Sequence, residues 1–369
     1  MFSASDHRFM AHALRLAERG LYTTTPNPRV GCVIVLDGVI VGEGWHERAG
    51  EPHAEVHALR SAGERARGAT AYVTLEPCNH TGRTPPCATA LIQSGVARVV
   101  AAMADPNPLV AGTGLRALYD AGLETAVGFL ESQAQELNIG FVSRMRRGRP
   151  WLRMKVAASL DGKTALNNGA SQWITGEGAR RDGHLWRARS CGILTGIGTV
   201  KDDDPQLTVR AIETTRQPKK ILIDSRLEVS PDAKLFDGSE VLIFCAAADS
   251  EKRARLVDKN ATVVQIPDGR GKVDLCAMAQ ELGQRGYNEV LVEAGTKLNG
   301  SLLSANLVDE LLIYLAPHLL GENARGMFGL PEMAMLSERC ELEIKDLRQI
   351  DGDIRITARP TGNALRMSS

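Results

Sequence analysis

The residues best equipped for chemistry lie between Glu51 and Cys87 of a 369-residue chain. They are His53 and Glu55 in EPHAEVHAL, then Cys78 and Cys87, each directly after a proline. Imidazole and thiolate are ligands that zinc prefers, and a catalytic zinc site uses three protein donors so that a fourth position can hold water. His53, Cys78 and Cys87 supply three. Two thiolates and a neutral imidazole cancel the ion's charge, yet zinc still draws the pKa of its water from about 16 towards roughly 7. Glu55 adds a proton carrier, which a purely structural zinc site does not need. His57 lies four residues after His53, as in zinc proteases. That pattern requires Glu directly after the first His, and Ala54 stands there, so His57 reads as a packed or supporting residue.

Something must bring these side chains together. Two positions apart in mid-helix, His53 and Glu55 would point to nearly opposite faces. Glu51-Pro52 instead marks a helix start, and from a first turn both side chains reach a metal lying off the helix end. Pro85-Pro86-Cys87 opens a second apolar segment in the same way. Two helix N-termini directed at one ion favour the thiolate forms.

The surrounding chain alternates. Asp6 is placed to cap a helix with Phe9, Met10, Ala13, Leu14 and Ala17 on one face, ending at Gly20. Val30 to Leu36 and Val39 to Trp45 read as a hairpin turning at Asp37-Gly38. Strands follow at Thr70 to Leu75, Val96 to Ala102 and Leu123 to Val127, with helices between them, a pattern for a sheet covered on both faces. RMRRGRP, with Arg144, Arg146, Arg147 and Arg149, reads as a helix end and linker, with a boundary near residue 148. Beyond it, WLRMKVAASLDGKTAL is a strand and turn, SQWITGEGARRDGHLWRARS holds a helix and CGILTGIGTV a buried strand. More strands are expected at Lys220 to Asp224, Val241 to Cys245, Thr262 to Ile266 and Glu289 to Glu293. The last runs into AGTKLNGSLL, a glycine loop entering a helix. Such an arrangement can hold phosphate on backbone N–H groups, although neither glycine run fits G-x-G-x-x-G.

Composition narrows the partners. Lys plus Arg and Asp plus Glu number 44 each, so no net field favours nucleic acid or a membrane surface. With 43% apolar residues, the length accommodates two cores. The N-terminus has no long apolar run, and seven scattered cysteines without an export signal imply reduced thiols in a cytoplasmic protein.

H-x-E followed by P-C and a later Cys is the signature of zinc nucleobase deaminases, with Glu as the proton shuttle. Here eight residues, NHTGRTPP, separate the cysteines. PCNHTGRTPPC, with TPNPRVG and AGEPHAEVHAL, resembles the deaminase half of the bifunctional deaminase/reductase family of riboflavin biosynthesis. KVAASLDGKTA, SQWIT, GTVKDDDPQLTVR, ILIDS and VEAGTKLNGSLL resemble its reductase half. The resemblance implies a cytidine-deaminase-like α/β/α domain over 1–147 and a dihydrofolate-reductase-like α/β domain over 148–369. It further implies zinc-dependent hydrolytic deamination of 2,5-diamino-6-(5-phosphoribosylamino)pyrimidin-4-one. NADPH-dependent reduction of the ribosyl group of 5-amino-6-(5-phosphoribosylamino)uracil to ribityl would follow.

Family roles fall on matching positions. Asn27 would contact the pyrimidine, though Asn between two prolines also forms turns. Ala157, Trp173, Thr199, Asp203 and Ser225, with Gly295, Thr296, Lys297, Leu298, Asn299, Gly300 and Ser301, would line the NADPH site. Apart from the family roles, Ser225 and Arg226 lie just beyond an expected strand end, where they could meet the cofactor's extra phosphate. Ser171, Arg187, Leu207, Arg210 and Glu293 would hold substrate, the arginines suiting a ribose phosphate. Lys155 and Asp161 lie nearby without a settled role, and His80 is either a substrate contact or a solvated loop residue. A homodimer through the reductase domain is the family expectation. A nucleic-acid deaminase fits poorly with balanced charge and 4% aromatic residues, and Glu55 argues against a non-catalytic zinc scaffold.

Overall fold

A computed structural model describes residues 2–79, 86–108 and 110–361; His80 lies outside them. The chain folds as two compact units, Met1–Gly148 and Arg149–Ser369.

In the first unit, helices α1 (Ala4–Glu18), α2 (Ala54–Ala62), α3 (Cys87–Ser94), α4 (Thr113–Asp120), α5 (Glu131–Leu137) and α6 (Ile139–Arg147) accompany five strands. These are β1 (Gly31–Leu36), β2 (Val39–Trp45), β3 (Thr70–Val73), β4 (Arg98–Ala101) and β5 (Glu124–Val127). The sheet order is β2-β1-β3-β4-β5, with β1 antiparallel to both neighbours and β3, β4 and β5 parallel. Val33, Ile34, Val73, Val99 and Val100 are fully buried under Met10, Ala13, Ala58 and Leu91 of the helices. Asp6 does not cap α1. Ser3 does, accepting from the Asp6 N–H, while the Asp6 carboxylate closes a capping box and takes the Tyr72 hydroxyl and Arg98. A carboxylate three residues into a helix can answer the cap's own N–H, and burial against β3 and β4 gives Asp6 the stronger partners.

The second unit is built on nine strands in the order β11-β10-β9-β8-β12-β6-β13-β16-β15. In chain order its elements begin β6 (Trp151–Ser159), β7 (Lys163–Ala165), α7 (Glu177–Arg189), β8 (Gly192–Gly196), α8 (Ile197–Asp203) and β9 (Lys219–Ile223). Then come β10 (Val241–Cys245), α9 (Ser250–Val257), β11 (Ala261–Gln265), α10 (Leu275–Gln284), β12 (Glu289–Val292) and α11 (Thr296–Ser304). The chain closes with β13 (Glu310–Ala316), β14 (Arg325–Gly326), β15 (Leu342–Ile350) and β16 (Asp353–Pro360). The strands from β11 to β13 run parallel, and β16 and β15 complete the sheet antiparallel. Parallel strands buried on both faces read as unbroken apolar runs, which is why ILI, VLIFC and EVLV are visible in the sequence. Arg149 is not a solvated linker charge. Its guanidinium makes two bonds of 2.9 Å to the buried Asp309 carboxylate.

Candidate active sites

His53 is the N-cap of α2 and Cys87 the first residue of α3, so both helix starts meet as expected. Cys78 lies five residues past the end of β3, after a bend at Thr74 and Leu75. His53 Nδ1 lies 3.3 Å from Cys87 Sγ and 3.6 Å from Cys78 Sγ, and the three donor atoms fall within 4.8 Å of one another. A Zn–N bond of about 2.0 Å and a Zn–S bond of about 2.3 Å meeting at a tetrahedral angle put nitrogen and sulfur roughly 3.5 Å apart. The donor set therefore fits zinc in kind and in spacing. The Cys87 thiol and His53 hold the Cys78 thiol down to about 4. The hydrogen bond with the Cys78 sulfur, then burial, push Cys87 up. Two sulfurs this close resist a second negative charge unless a cation lies between them.

Glu55, one position into α2, is 3% exposed. Its Oε2 is buried without a hydrogen-bond partner among the described residues. An unpartnered carboxylate oxygen in a dry site is costly unless a ligand completes it. Burial pushes the group up to about 7, with His53 pulling the other way.

The site extends to residues that sequence reasoning missed. His46, just past β2, is buried, and its ring packs edge-on against His53 at 5.4 Å. Its Nδ1 lies 3.1 Å from the Pro52 carbonyl, so Nδ1 carries the proton and Nε2 accepts from the Asn27 amide at 3.1 Å. That bond fixes which way Asn27 points and brings it beside the metal-type cluster. His57 stays partly buried one turn after His53 with Nε2 unpartnered.

In the second unit the candidates gather beyond the carboxyl ends of the parallel strands, where open α/β sheets bind ligands. Arg187 of α7 donates to both Glu293 oxygens at 2.6 and 2.7 Å and to the Thr208 carbonyl at 2.9 Å. Burial pushes the Glu293 carboxyl up, but the Arg187 guanidinium overrides it and holds the group down to about 2. Among the described residues Arg210 meets neutral acceptors, Thr208 Oγ1 at 3.1 Å and Gln206 Oε1 at 3.3 Å. Its backbone N–H donates to His184 Nδ1 at 3.1 Å. Burial, then Arg187 and Arg210, push His184 down to about 4, and burial also lowers Lys155. Leu207 is buried with φ 53°. Among the described residues Lys155, Arg187 and Arg210 thus face the Glu293 carboxylate with His184 neutral beside them, a local excess of cations suited to a phosphorylated substrate.

Other candidates pair up. Ser171 donates to Asp203 at 3.3 Å, and Thr199 on α8 faces Gly295, the N-cap of α11. Thr296, Lys297, Leu298, Asn299, Gly300 and Ser301 form the first turns of that helix. Asn299 is buried with Oδ1 unpartnered, and a Cβ on Gly300 would come within 2.1 Å of the Gly329 carbonyl. Ala157 is half-buried on β6. Trp173 is 70% exposed with Arg180 over its ring. Ser225 accepts from the Val273 N–H at 3.3 Å, whereas Arg226 points to Glu228. Asp161 takes the N–H groups of Leu320 and Gly321 and so pins a turn.

Comparison with known proteins accounts for both units. Residues 3–103 match the cytidine and deoxycytidylate deaminase zinc-binding region, and residues 150–356 the RibD C-terminal domain. The riboflavin biosynthesis protein RibD of Escherichia coli is 50% identical over 95% of this chain and 98% of its own. That of Bacillus amyloliquefaciens is 43% identical over 96% of each. The Acinetobacter baumannii RibD structure superposes with a TM-score of 0.90 at 44% identity, covering 97% of this chain and 99% of its own. A Thermotoga maritima diaminohydroxyphosphoribosylaminopyrimidine deaminase/5-amino-6-(5-phosphoribosylamino)uracil reductase reaches 0.85 at 32%, covering 96% and 99%. Likeness of this degree spans the deaminase and reductase halves alike, and the chain belongs to the RibD family, the bifunctional zinc- and NADPH-dependent enzymes of riboflavin biosynthesis.

Proposed function

We propose that the family's deamination is carried out within 1–147 by His53, Cys78 and Cys87 as zinc ligands and Glu55 as proton carrier. The reduction takes place within 148–369. The observation that carries the first assignment is the cluster of three donor atoms within 4.8 Å beside a buried, unpartnered Glu55 oxygen. Zinc bound there supplies a Lewis acid that makes a neighbouring water acidic at neutral pH. Glu55 carries one of the water's protons to the ring nitrogen and the other to the departing amine, which leaves as ammonia as the water's oxygen takes its place on carbon. Asn27, oriented by His46, holds the pyrimidine. In the reductase unit NADPH supplies the hydride for C1′ of the ribosyl group. Arg187 and Arg210 grip the phosphate, and Ser171, Leu207 and Glu293 position the sugar. Ala157, Trp173, Thr199, Asp203, Ser225 and Gly295 to Ser301 line the cofactor's place at the strand ends.

Variants separate the roles. His53→Ala, Cys78→Ser and Cys87→Ser should lose zinc and deamination together. Glu55→Gln should keep one zinc per chain yet lose deamination by about 10²-fold or more, the scale of general acid–base catalysis. All four should keep NADPH-dependent reduction. Deamination surviving in Glu55→Gln, measured as ammonia release, would remove the proton-carrier role.

The chain acts as a homodimer in the cytoplasm on a small-molecule substrate, with no nucleic-acid or membrane partner. No helix among the described residues is long and apolar enough to cross a membrane. The dimer reading is supported by β15, an edge strand whose apolar Leu342, Ile344 and Leu347 lie exposed. An uncovered apolar edge invites pairing.

A further inference from the structure

Glu76, two residues before Cys78, is 4% exposed, and both its oxygens receive backbone donors from one stretch of chain. Oε2 accepts from Asp105 at 3.0 Å and Gly112 at 2.9 Å; Oε1 accepts from Gly114 at 2.9 Å and Leu115 at 3.3 Å. Gly114 and Leu115 lie in the first turn of α4, whose N-cap, Gly112, has no side chain to satisfy those N–H groups. A carboxylate from far along the chain does the capping, and the helix dipole and four donors compensate its burial.

The residues after Glu76 are held to the same turn. A Cβ on Gly114 would approach the Pro77 carbonyl oxygen to 1.9 Å, so only glycine admits this contact. Beyond Cys78, the Asn79 amide donates to the Thr113 carbonyl at 3.3 Å. Cys78 itself receives the Ala88 N–H on its carbonyl at 3.1 Å and the Cys87 N–H on its sulfur at 3.4 Å. Its sulfur is thus set between the start of α3 and a strand exit anchored to the start of α4.

We propose that Glu76 is a positioning residue for the metal site: by clamping the start of α4, it fixes the backbone that places the Cys78 sulfur opposite His53 and Cys87. Glutamine keeps the shape but presents an NH₂ group to two of the four donors, so one side of the clamp must open. Cys78 then loses its fixed approach while every ligand remains in the chain. Removing a partner that orients a metal ligand typically weakens metal binding by about 10–100-fold.

The inference rests on the zinc assignment, and the wild-type stoichiometry tests that assignment separately. Zinc-loaded full-length wild type and Glu76→Gln are mixed with excess chromophoric chelator at 25 °C, and zinc release is followed. Far-UV circular dichroism and NADPH-dependent reduction serve as controls on folding. The expected result is release about 10–100-fold faster in Glu76→Gln, with the controls unchanged and partial recovery in Glu76→Asp. A merely structural role would lower the melting temperature and leave release from the folded protein untouched. One zinc in wild type with unchanged release in Glu76→Gln overturns the inference alone. Should Glu76→Gln fail to fold, Gly114→Ala displaces Pro77 from the opposite side and reads the same rate. Faster release then supports the clamp, and an unchanged rate refutes it.

Discussion

Glu55 and Glu293 are both carboxylates at a candidate site, yet their surroundings give them opposite characters. Around Glu55 burial dominates, and the group is pushed up to about 7. Around Glu293 the two bonds from Arg187 win and it stays ionised, held down to about 2. A carboxyl with a folded pKa below its unfolded value adds stability that is complete above the unfolded pKa and lost as pH falls through the folded one. With an unfolded pKa of about 4.3, Glu293 should contribute up to about 3 kcal/mol near neutrality and lose it between about pH 4.5 and pH 2. Urea unfolding of wild type and Glu293→Gln across that window measures the difference; a constant gap would contradict the pairing. Arg187→Ala should raise KM for the phosphorylated substrate about 10–100-fold, the worth of a charged hydrogen bond, and leave NADPH binding nearly unchanged. Binding titrations showing the reverse preference would overturn the substrate role. The proposed zinc ligands and Glu55 are legible in the sequence because their types and proline-marked helix starts are both visible there. His46 and Glu76 are not, since their partners are a carbonyl, an amide and backbone N–H groups contributed by distant segments.

At the scale of elements, the site depends on helix starts. α2 and α3 each begin at a proposed zinc ligand, and α4 begins on the Glu76 carboxylate. Prolines announce the first two; nothing local announces the third, because its cap comes from a residue nearly forty positions earlier. The parallel strands are readable as apolar runs, and the Asp37-Gly38 hairpin forms as expected between β1 and β2. β15 is different. Its sequence LEIKDLRQI has no buried face to impose a period, so pairing with β16 alone makes it a strand. Ile344 and Leu347 are 59% and 61% exposed on that edge. If this edge is where two copies meet, Ile344→Lys with Leu347→Lys should convert a dimer to the 39.8 kDa monomer. Light scattering coupled to size exclusion reads the mass. A wild type already monomeric, or a double variant that stays dimeric, would remove this edge from the interface.

At the scale of the whole molecule, two compact units each carry their own core and their own cluster of chemical groups. Acidic and basic residues balance at 44 each, so the positive charge that suits a phosphate is local, gathered around Glu293. The division of labour has a direct test. Purified zinc-loaded protein is incubated with 2,5-diamino-6-(5-phosphoribosylamino)pyrimidin-4-one, and the substrate's mass is followed without and then with NADPH. The account predicts exchange of an NH group for oxygen, with ammonia released, before any cofactor is added, and a gain of two hydrogens only afterwards. A substrate whose mass changes on neither addition would contradict it.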